Sequence, residues 1–194
     1  MSRSATGALS QAGGRSTIGT VSNRKRLLIV AHAPSDNTRR LFDAVVVGAQ
    51  SAAIENVEVI ARSPFDTEPD DVLSAQAVIL GTTENLGYMS GALKDFFDRI
   101  YSPCLEKTEG LPYALYIRAG HDGTGTRRGI ESIVTGFRWR AVQEPFPCRG
   151  EWQDDFIGQC EALGEALAAG LDLGYSRAAA LRFSPPQTSH DRPG

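Results

Sequence analysis

GTTENLGYMSGALKDFFDRIY, residues 81–101, is the most informative part of the chain, because it follows the apolar run AVIL at 77–80. Such a run is typical of a strand covered on both faces. The last eleven residues, 91–101, place four apolar side chains at helical spacing: Leu93, Phe96, Phe97 and Ile100. The ten residues at 81–90 exceed the roughly 2–6 that usually join a strand to a helix. The sequence therefore predicts a loop shaped around a ligand.

Strand and helix patterns alternate on both sides of this stretch. Apolar runs predict strands at 26–32, 57–61, 75–81, 112–119 and 141–148. Amphipathic spacing predicts helices at 38–53, 91–101, 126–137 and 154–174. We therefore predict an α/β fold: a doubly wound five-stranded parallel sheet of order 2-1-3-4-5, with helices on both faces. Pro145 and Pro147 indicate that the fifth strand lies at an edge.

Composition and charge exclude several classes of protein. The 194 residues, 41% hydrophobic and 22% charged, are typical of one globular domain. No apolar run approaches the ~20 residues of a membrane-spanning helix, and a net charge of −3 does not favour nucleic acid or an acidic membrane. We expect small-molecule partners, no nucleic acid and no membrane. Three widely spaced cysteines show no metal-ligand spacing, so we expect no metal and a cytoplasmic setting.

The chain divides into three parts. Residues 1–24, rich in Ser, Gly and Thr, predict a disordered N-terminal tail. Residues 25–174 form the predicted domain, and residues 175–194 form a C-terminal extension that we expect to be flexible. The first 40 residues carry a net charge of +6 and the remainder −9. Because the tail has basic but no acidic residues, an organelle transit peptide is an alternative interpretation.

The loop after the first strand, AHAPSDNTRR at 31–40, places small polar residues where a helix begins. One interpretation is an N-cap, in which Ser35 or Asp36 accepts hydrogen bonds from the first free amides. The other is a phosphate site, in which those amides and the hydroxyls of Ser35 and Thr38 bind the anion. The carboxylate of Asp36 repels a phosphate unless it turns outward.

The loops after the third and fourth strands are expected at the same rim of the sheet. In this interpretation the amides of 83–87 face a flat heteroaromatic ligand, and Tyr88 either stacks on it or packs on the sheet. RAGHDGTGTRRG at 118–129 follows the fourth strand, and its glycines permit close approach of a bound group. Its GTGTRRG also mimics a dinucleotide fingerprint, which normally follows a first strand. Together the three loops suit a planar phosphorylated ligand.

GTTENLGYMSGALKDFFDR at 81–99 resembles the second flavin loop of the flavodoxin-like superfamily, in its NAD(P)H-dependent FMN reductase and quinone oxidoreductase branch. HAPSDNTRRL at 32–41 stands where that branch has its Ser/Thr-rich phosphate loop. AGHDGTGTRRGIESI at 119–133 stands where the third loop meets the ring. The resemblance covers residues 26–172. Three positions depart from the family pattern: Ala33 replaces a hydroxyl residue, Asp36 a Gly and Thr83 a Pro.

The resemblance implies an FMN cofactor and assigns residues to it. The phosphate would be bound by Ser35, Asn37 and Thr38. The isoalloxazine ring would be lined by Thr82, Thr83, Glu84, Asn85, Leu86, Gly87 and Tyr88. Its pyrimidine edge would lie along Gly120, His121, Asp122, Gly123 and Gly125. No dedicated catalytic residue is implied, and Glu84 and His121 are the titratable groups beside the ring.

The activity implied by the resemblance is hydride transfer from NAD(P)H through FMN to a quinone or similar small acceptor. Two alternatives use the same fold, namely a flavodoxin-type electron carrier and a flavin-free binding module. The net charge of −3 speaks against a carrier, whose docking face is usually strongly acidic. A hydrolase that uses Cys104 and His32 lacks the expected nucleophile turn. Related quinone reductases form dimers or tetramers, so a homo-oligomer is a further expectation.

Overall fold

The computed structural model describes residues 24–174. The predicted tail before Arg24 and the predicted extension after Gly174 lie outside the described residues. Within them, seven strands form one sheet: β1 Lys25–Ala31, β2 Val57–Arg62, β3 Ala77–Asn85, β4 Tyr88–Met89, β5 Pro112–Ala119, β6 Arg140–Ala141 and β7 Phe146–Arg149. The α-helices of this part are α1 Asp36–Ala49, α2 Pro69–Ser74, α3 Gly91–Cys104, α4 Thr124–Gly136 and α5 Asp155–Asp172.

The parallel strands lie in the order β2-β1-β3-β5, and β6 and β7 both pair with β5. The fifth strand of the predicted order 2-1-3-4-5 is thus present in two pieces, and the predicted order is confirmed. The register aligns Ala31 with Gly81 and Gly81 with Tyr116. The carboxyl ends of β1, β3 and β5 therefore reach one rim of the sheet, which is where ligands bind in doubly wound folds.

Two hydrophobic cores, one on each face of the sheet, hold the layers together. Successive residues of β1 alternate between them: Leu27 and Ile29 face α1 and α5, whereas Leu28 and Val30 face α3 and α4. All four side chains are fully buried, and burial of each contributes about 1.5–3 kcal/mol. Burial on both faces explains why β1 is an uninterrupted apolar run.

Helices α1 and α5 approach closely because each provides a glycine where they cross. A Cβ on Gly48 would lie 1.9 Å from the carbonyl oxygen of Glu161, and one on Gly164 would lie 2.0 Å from that of Val45. A larger residue at either position would push the helices apart. Their contact fixes the position of α1 beside the sheet.

The loop predicted at 81–90 is largely wrong, because β3 continues to Asn85 and the chain returns as β4. The short strand pairs antiparallel with the last residues of β3. Leu86 and Gly87 form the turn with φ of 54° and 76°, the positive values that two-residue hairpin turns favour. We call residues 84–89 the rim hairpin.

The crossover from β2 to β3 carries a short 3₁₀ helix, Pro64–Asp66, and α2, neither of which the sequence analysis predicted. Val72 of α2 is fully buried in the core. Arg99 of α3 donates to the carbonyl groups of Thr67 and Pro64 at 2.8 and 2.5 Å. These contacts attach the crossover to α3 and complete the second face of the sheet.

Three further observations concern membrane spans, metal clusters and cysteines in the described part of the chain. In residues 24–174, no helix is long and apolar enough to cross a membrane. No group of three or more His, Cys, Asp or Glu side chains in this range is placed to hold a metal ion. Cys104, Cys148 and Cys160 form no disulfide among the described residues, and all three are buried.

Candidate functional site

The N-terminus of α1 is closed by a reciprocal pair of hydroxyl groups. The Thr38 amide donates to Ser35 Oγ at 3.4 Å, and the Ser35 amide donates to Thr38 Oγ1 at 2.9 Å. The Thr38 hydroxyl donates to the Ser35 carbonyl at 2.8 Å. Ser35 is therefore the N-cap, as the first interpretation predicted. Thr38 is only 6% exposed and uses its hydroxyl in this cap.

Two backbone amides at the start of α1 stay free for a ligand. The N–H groups of Asp36 and Asn37 have no hydrogen-bond partner among the described residues. They lie at the positive end of the helix dipole, where anions bind. Both side chains are exposed. An anion at this point would be held by backbone donors, to which Asn37 can add its side-chain amide.

The two arginines of the first helical turn differ in their surroundings. Arg40 lies 4.7 Å from the centre of the Trp152 ring and pairs with Asp154 at 3.3 Å. Trp152 Nε1 donates to the same carboxylate at 3.0 Å. Hydrogen bonds from Trp152 and then Arg40 lower the pKa of Asp154. Arg39 has no ion pair within residues 24–174, so its guanidinium is available to an anion at the helix start.

Thr83 lies on the face of the sheet that carries α1. Side chains alternate along β3, so Thr83 shares its face with Ile79, which packs against α1 and α5. Its Oγ1 is buried and has no hydrogen-bond partner in the described part of the chain. The aligned residue of β5, Arg118, donates to three backbone carbonyl groups at 2.6, 2.7 and 3.0 Å. A buried, unpartnered hydroxyl beside a fixed guanidinium indicates a polar ligand.

His32 lies at the same rim, although the sequence analysis did not include it among the ligand-binding residues. It follows β1, and its amide donates to the Gly81 carbonyl at 3.0 Å. Its Nδ1 is buried without a partner among residues 24–174. Burial lowers the pKa of the imidazole from its ordinary value of 6.5, so the neutral form prevails at neutral pH. The available clue was its place as the first polar side chain after an apolar strand.

The rim hairpin lies on α4, and two glycines of that helix make room for it. A Cβ on Gly125 would lie 2.1 Å from the carbonyl oxygen of Gly87, and one on Gly129 would lie 2.3 Å from the Tyr88 ring. Gly125 thus contacts the hairpin. The Tyr88 ring packs on α4, which neither interpretation of Tyr88 predicted, and the residue stays 40% exposed. The hairpin tip, Leu86, is fully exposed.

A carboxylate joins the hairpin to the loop after β5. Glu84 accepts a hydrogen bond from the His121 amide at 3.0 Å. In the same loop Asp122 accepts from the Thr124 amide at 2.9 Å, and this bond is the main cause that lowers the pKa of Asp122. His121 was predicted to lie along the pyrimidine edge of the ring, and its amide is bound by Glu84. Gly120 is exposed, and a Cβ there would meet no atom within 4 Å.

The Thr82 side chain turns away from the rim. The residue is 2% exposed, and its hydroxyl donates to Ser90 Oγ at 3.1 Å. Its oxygen also accepts from the Ser90 amide at 3.1 Å. Ser90 in turn caps α3 by accepting from the Leu93 amide at 3.2 Å. The Thr82 hydroxyl therefore joins β3 to α3, and only its backbone is available to a ligand.

Comparisons with known proteins agree with this architecture, although no known family's sequence profile matches the chain. The flavodoxin of Aquifex aeolicus is 26% identical over 110 residues, which span 57% of this chain but only 58% of that relative. A solved flavodoxin from the Archaea superposes with a TM-score of 0.63 at 20% identity, covering 75% of this chain and 98% of that structure. The WrbA-like flavodoxin of Agrobacterium tumefaciens gives 0.62 at 14% identity, covering 79% and 99%. The fold is flavodoxin-like.

In this flavodoxin-like fold the predicted site residues fall into three groups. The α1 side of the rim holds Ser35, Asn37 and Thr83. The rim hairpin and the helix beneath it hold Glu84, Asn85, Leu86, Gly87, Tyr88 and Gly125. The loop after β5 holds Gly120, His121, Asp122 and Gly123. The side chains of Thr38 and Thr82 are used in the helix caps, so they serve the fold.

Proposed function

We propose that this protein binds FMN at the rim of its sheet and carries out electron transfer with it. One observation carries the proposal: the buried, unpartnered hydroxyl of Thr83 lies on the sheet face that carries α1, whose first amides, those of Asp36 and Asn37, are free. FMN has a phosphate, which the backbone amides can bind, and a polyol chain, which the side-chain hydroxyl can bind. The flavodoxins among the similar proteins support the same cofactor.

The residues present fit the phosphate end of FMN. The amides of Asp36 and Asn37 supply donors at the positive end of α1, and Arg39 supplies a cation nearby. The Ser35 hydroxyl lies 3.0 Å from Thr38 Oγ1 and is the donor in that bond, because the Thr38 hydroxyl donates to the Ser35 carbonyl. Ser35 would have to give up this bond to donate to an anion. The Asp36 side chain is exposed, so its carboxylate can remain in solvent while the backbone binds the phosphate.

The rim hairpin and the loop after β5 fit the planar end. In this proposal the ring lies against their backbones, between Glu84 and His121. Glu84 must release the His121 amide before that amide can donate to the pyrimidine edge. A carboxylate at this edge also disfavours negative charge on the ring. Leu86 and Gly120 are exposed, so the outer side of the rim stays open to small reactants.

We further propose that the reaction is reduction of a quinone or similar small acceptor by NAD(P)H. Bound FMN supplies the hydride-transfer chemistry. The chain's own residues then orient the reactants and hold the ring, and none of them needs to act as a general acid or base. Because Cys104, Cys148 and Cys160 form no disulfide within residues 24–174, we place the protein in the reducing cytoplasm. A homo-oligomer with small-molecule partners completes the proposal.

A flavodoxin-type electron carrier is the second candidate, since the similar proteins include flavodoxins. Such a carrier binds FMN and needs a separate reductase. The net charge of −3 favours the enzyme over the carrier, because carriers usually dock through strongly acidic faces. Flavin binding is common to both candidates, whereas turnover distinguishes them.

Two measurements on purified full-length protein test the proposal. The visible spectrum should show the bands of oxidised flavin, and acid should release FMN. Anaerobic oxidation of NADH or NADPH by a quinone, with no added reductase, should follow. Bound flavin without this oxidation would favour the carrier. Failure to bind FMN supplied in excess would leave only a flavin-free binding module.

A further inference from the structure

A cavity of about 450 Å³ lies between the N-terminal half of α4 and the edge strand β7. Its volume falls within the roughly 300–1,000 Å³ usual for small-molecule sites. Its apolar lining comes from Ile117, Pro145 and Pro147. A Cβ on Gly123 would lie 3.3 Å from Ala119, 3.7 Å from Ile117 and 4.0 Å from Pro147. Ile117 is only 1% exposed and forms the floor of the cavity, whereas Pro145 and Pro147 are partly exposed.

The acidic groups that line the cavity are already bound by the protein. Arg127 donates to Glu131 at 2.7 Å and to Glu144 at 2.9 Å. Asp122 accepts from the Thr124 amide at 2.9 Å. Glu131 and Glu144 therefore share one arginine, and Asp122 is held by a backbone amide at the start of α4.

Arg128 and Arg149 line the same cavity with unused donors. Neither side chain makes an ion pair or hydrogen bond within the described residues, and both are exposed. After the hydrogen bonds from Thr124, the charge of Arg149 nevertheless lies near enough to Asp122 to contribute to the lowered pKa of that carboxylate. A guanidinium offers a planar fork of N–H donors that matches phosphate, sulfonate or carboxylate. The cavity thus combines an apolar surface with two guanidinium groups whose N–H donors are unused. This combination suits an organic anion better than a neutral or cationic molecule.

We propose that this cavity binds a small organic anion, with Arg128 and Arg149 on the anionic group and the apolar residues under its body. The proposal rests on the proposed function only for the identity of the anion, a reactant of the bound flavin. The loop after β5 borders both the cavity and the proposed ring site, so one molecule can reach both. Two reactants carry such a group: a dinucleotide with a 2′-phosphate, and an acceptor quinone with an acidic substituent.

Binding to the flavin-free full-length protein tests the site independently of activity. Calorimetric titration with adenosine 2′,5′-bisphosphate is compared with 5′-AMP, and a sulfonated naphthoquinone is compared with the unsubstituted quinone. We expect one anionic probe to bind more tightly than its match, with an affinity that falls as salt is added. Tighter binding of the 2′-phosphate probe would identify the natural ligand as the reductant, and tighter binding of the sulfonated probe would identify it as the acceptor. If neither exceeds its match, the proposal is overturned.

The double change of Arg128 and Arg149 to Ala should weaken that probe about tenfold, as expected for two exposed charge-assisted contacts. Arg140→Ala is the matched control, because Arg140 is an exposed arginine of β6 that does not line the cavity. Unchanged affinity in the double variant would overturn the assignment. If instead FMN fails to bind while these effects appear, the proposed function fails and the anion site stands.

Glu144→Gln tests the same site with the opposite sign. Its carboxylate is 85% exposed, so the fold should tolerate the change. Removal of its negative charge leaves more of the positive charge of Arg127 unneutralised. The affinity for the anionic probe should therefore rise about threefold. Unchanged affinity would place the anion outside the influence of Arg127, and a fall would mean that the Glu144 carboxylate itself supports binding. Either result would overturn the geometry proposed for the site.

Discussion

The two sides of the rim satisfy their polar groups in opposite ways. At the start of α1, Ser35 and Thr38 bond to each other, and the free donors are backbone amides. On β3, the backbone is paired with neighbouring strands, and the free group is the Thr83 hydroxyl. Substitutions in the cap should therefore change stability, whereas substitution of Thr83 should change ligand binding. The following predictions test this difference, from the largest effect to the smallest.

Gly125→Ala should cost about 1–3 kcal/mol of the unfolding free energy, the usual result of overpacking. Its Cβ would lie 2.1 Å from the backbone oxygen of Gly87 and would displace the rim hairpin. Gly158→Ala in α5 is the matched control, because a Cβ there meets no atom within 4 Å. Urea denaturation measures both. Equal effects of the two changes would show that the hairpin does not rest on α4.

Thr38→Val should lower the unfolding free energy by about 1–2 kcal/mol, because the cap loses its reciprocal hydrogen bonds. The shape of the side chain is kept, so packing changes little. Thr135→Val is the control, an exposed threonine within α4. Urea denaturation of the pair measures the difference. If the Thr38 variant were as stable as the control, the hydrogen bonds of the cap would not contribute to the stability of α1.

Thr83→Val should leave the unfolding free energy within about 0.5 kcal/mol of the original, since its hydroxyl has no partner in the described structure. The affinity for FMN should fall by about 1 kcal/mol through loss of one hydrogen bond. Quenching of flavin fluorescence measures the affinity, and urea denaturation measures the stability. Loss of stability with intact FMN binding would assign Thr83 to the fold rather than to the site.

Leu86→Asn should stabilise the protein by about 0.5–1 kcal/mol, because asparagine adopts positive φ more readily than leucine. Leu86 has φ of 54° and is fully exposed, so no burial is lost. Leu173→Asn is the control, since that leucine is 90% exposed with φ of −74°. Thermal unfolding compares the two. A destabilised Leu86 variant would reveal a contact of the hairpin tip.

His32 should make stability fall in acid, as the smallest of these effects. Its folded pKa lies below the ordinary value of 6.5, so the unfolded chain takes up a proton first. The contribution is complete above 6.5 and is lost as pH falls from 6.5 through the folded pKa. His32→Gln should flatten this part of the pH dependence, measured by urea denaturation. His121→Gln, at an exposed histidine, is the control. If it flattened the pH dependence of stability as much as His32→Gln, the effect could not be assigned to His32.

Sequence patterns predicted the sheet because its strands are local and strongly apolar. The segment 112–119 was predicted with the bounds that β5 shows. The rim hairpin was missed because it depends on packing against a helix far away in sequence. Gly125 and Gly129 of α4 leave the space that the hairpin occupies. The N-cap was predicted from residues 35–38 alone, because a helix cap depends only on residues close in sequence. The free Nδ1 of His32 depends on tertiary burial, which a single sequence does not report.

The broken fifth strand has a consequence for the molecule in solution. An unbroken edge strand presents a row of free N–H and C=O groups to which another chain can add. Here β6 and β7 are separated by residues 142–145, and Pro147 removes one donor from the outer strand. The interruption makes it difficult for a strand of another chain to pair with this edge of the sheet, so it protects the protein against edge-to-edge aggregation.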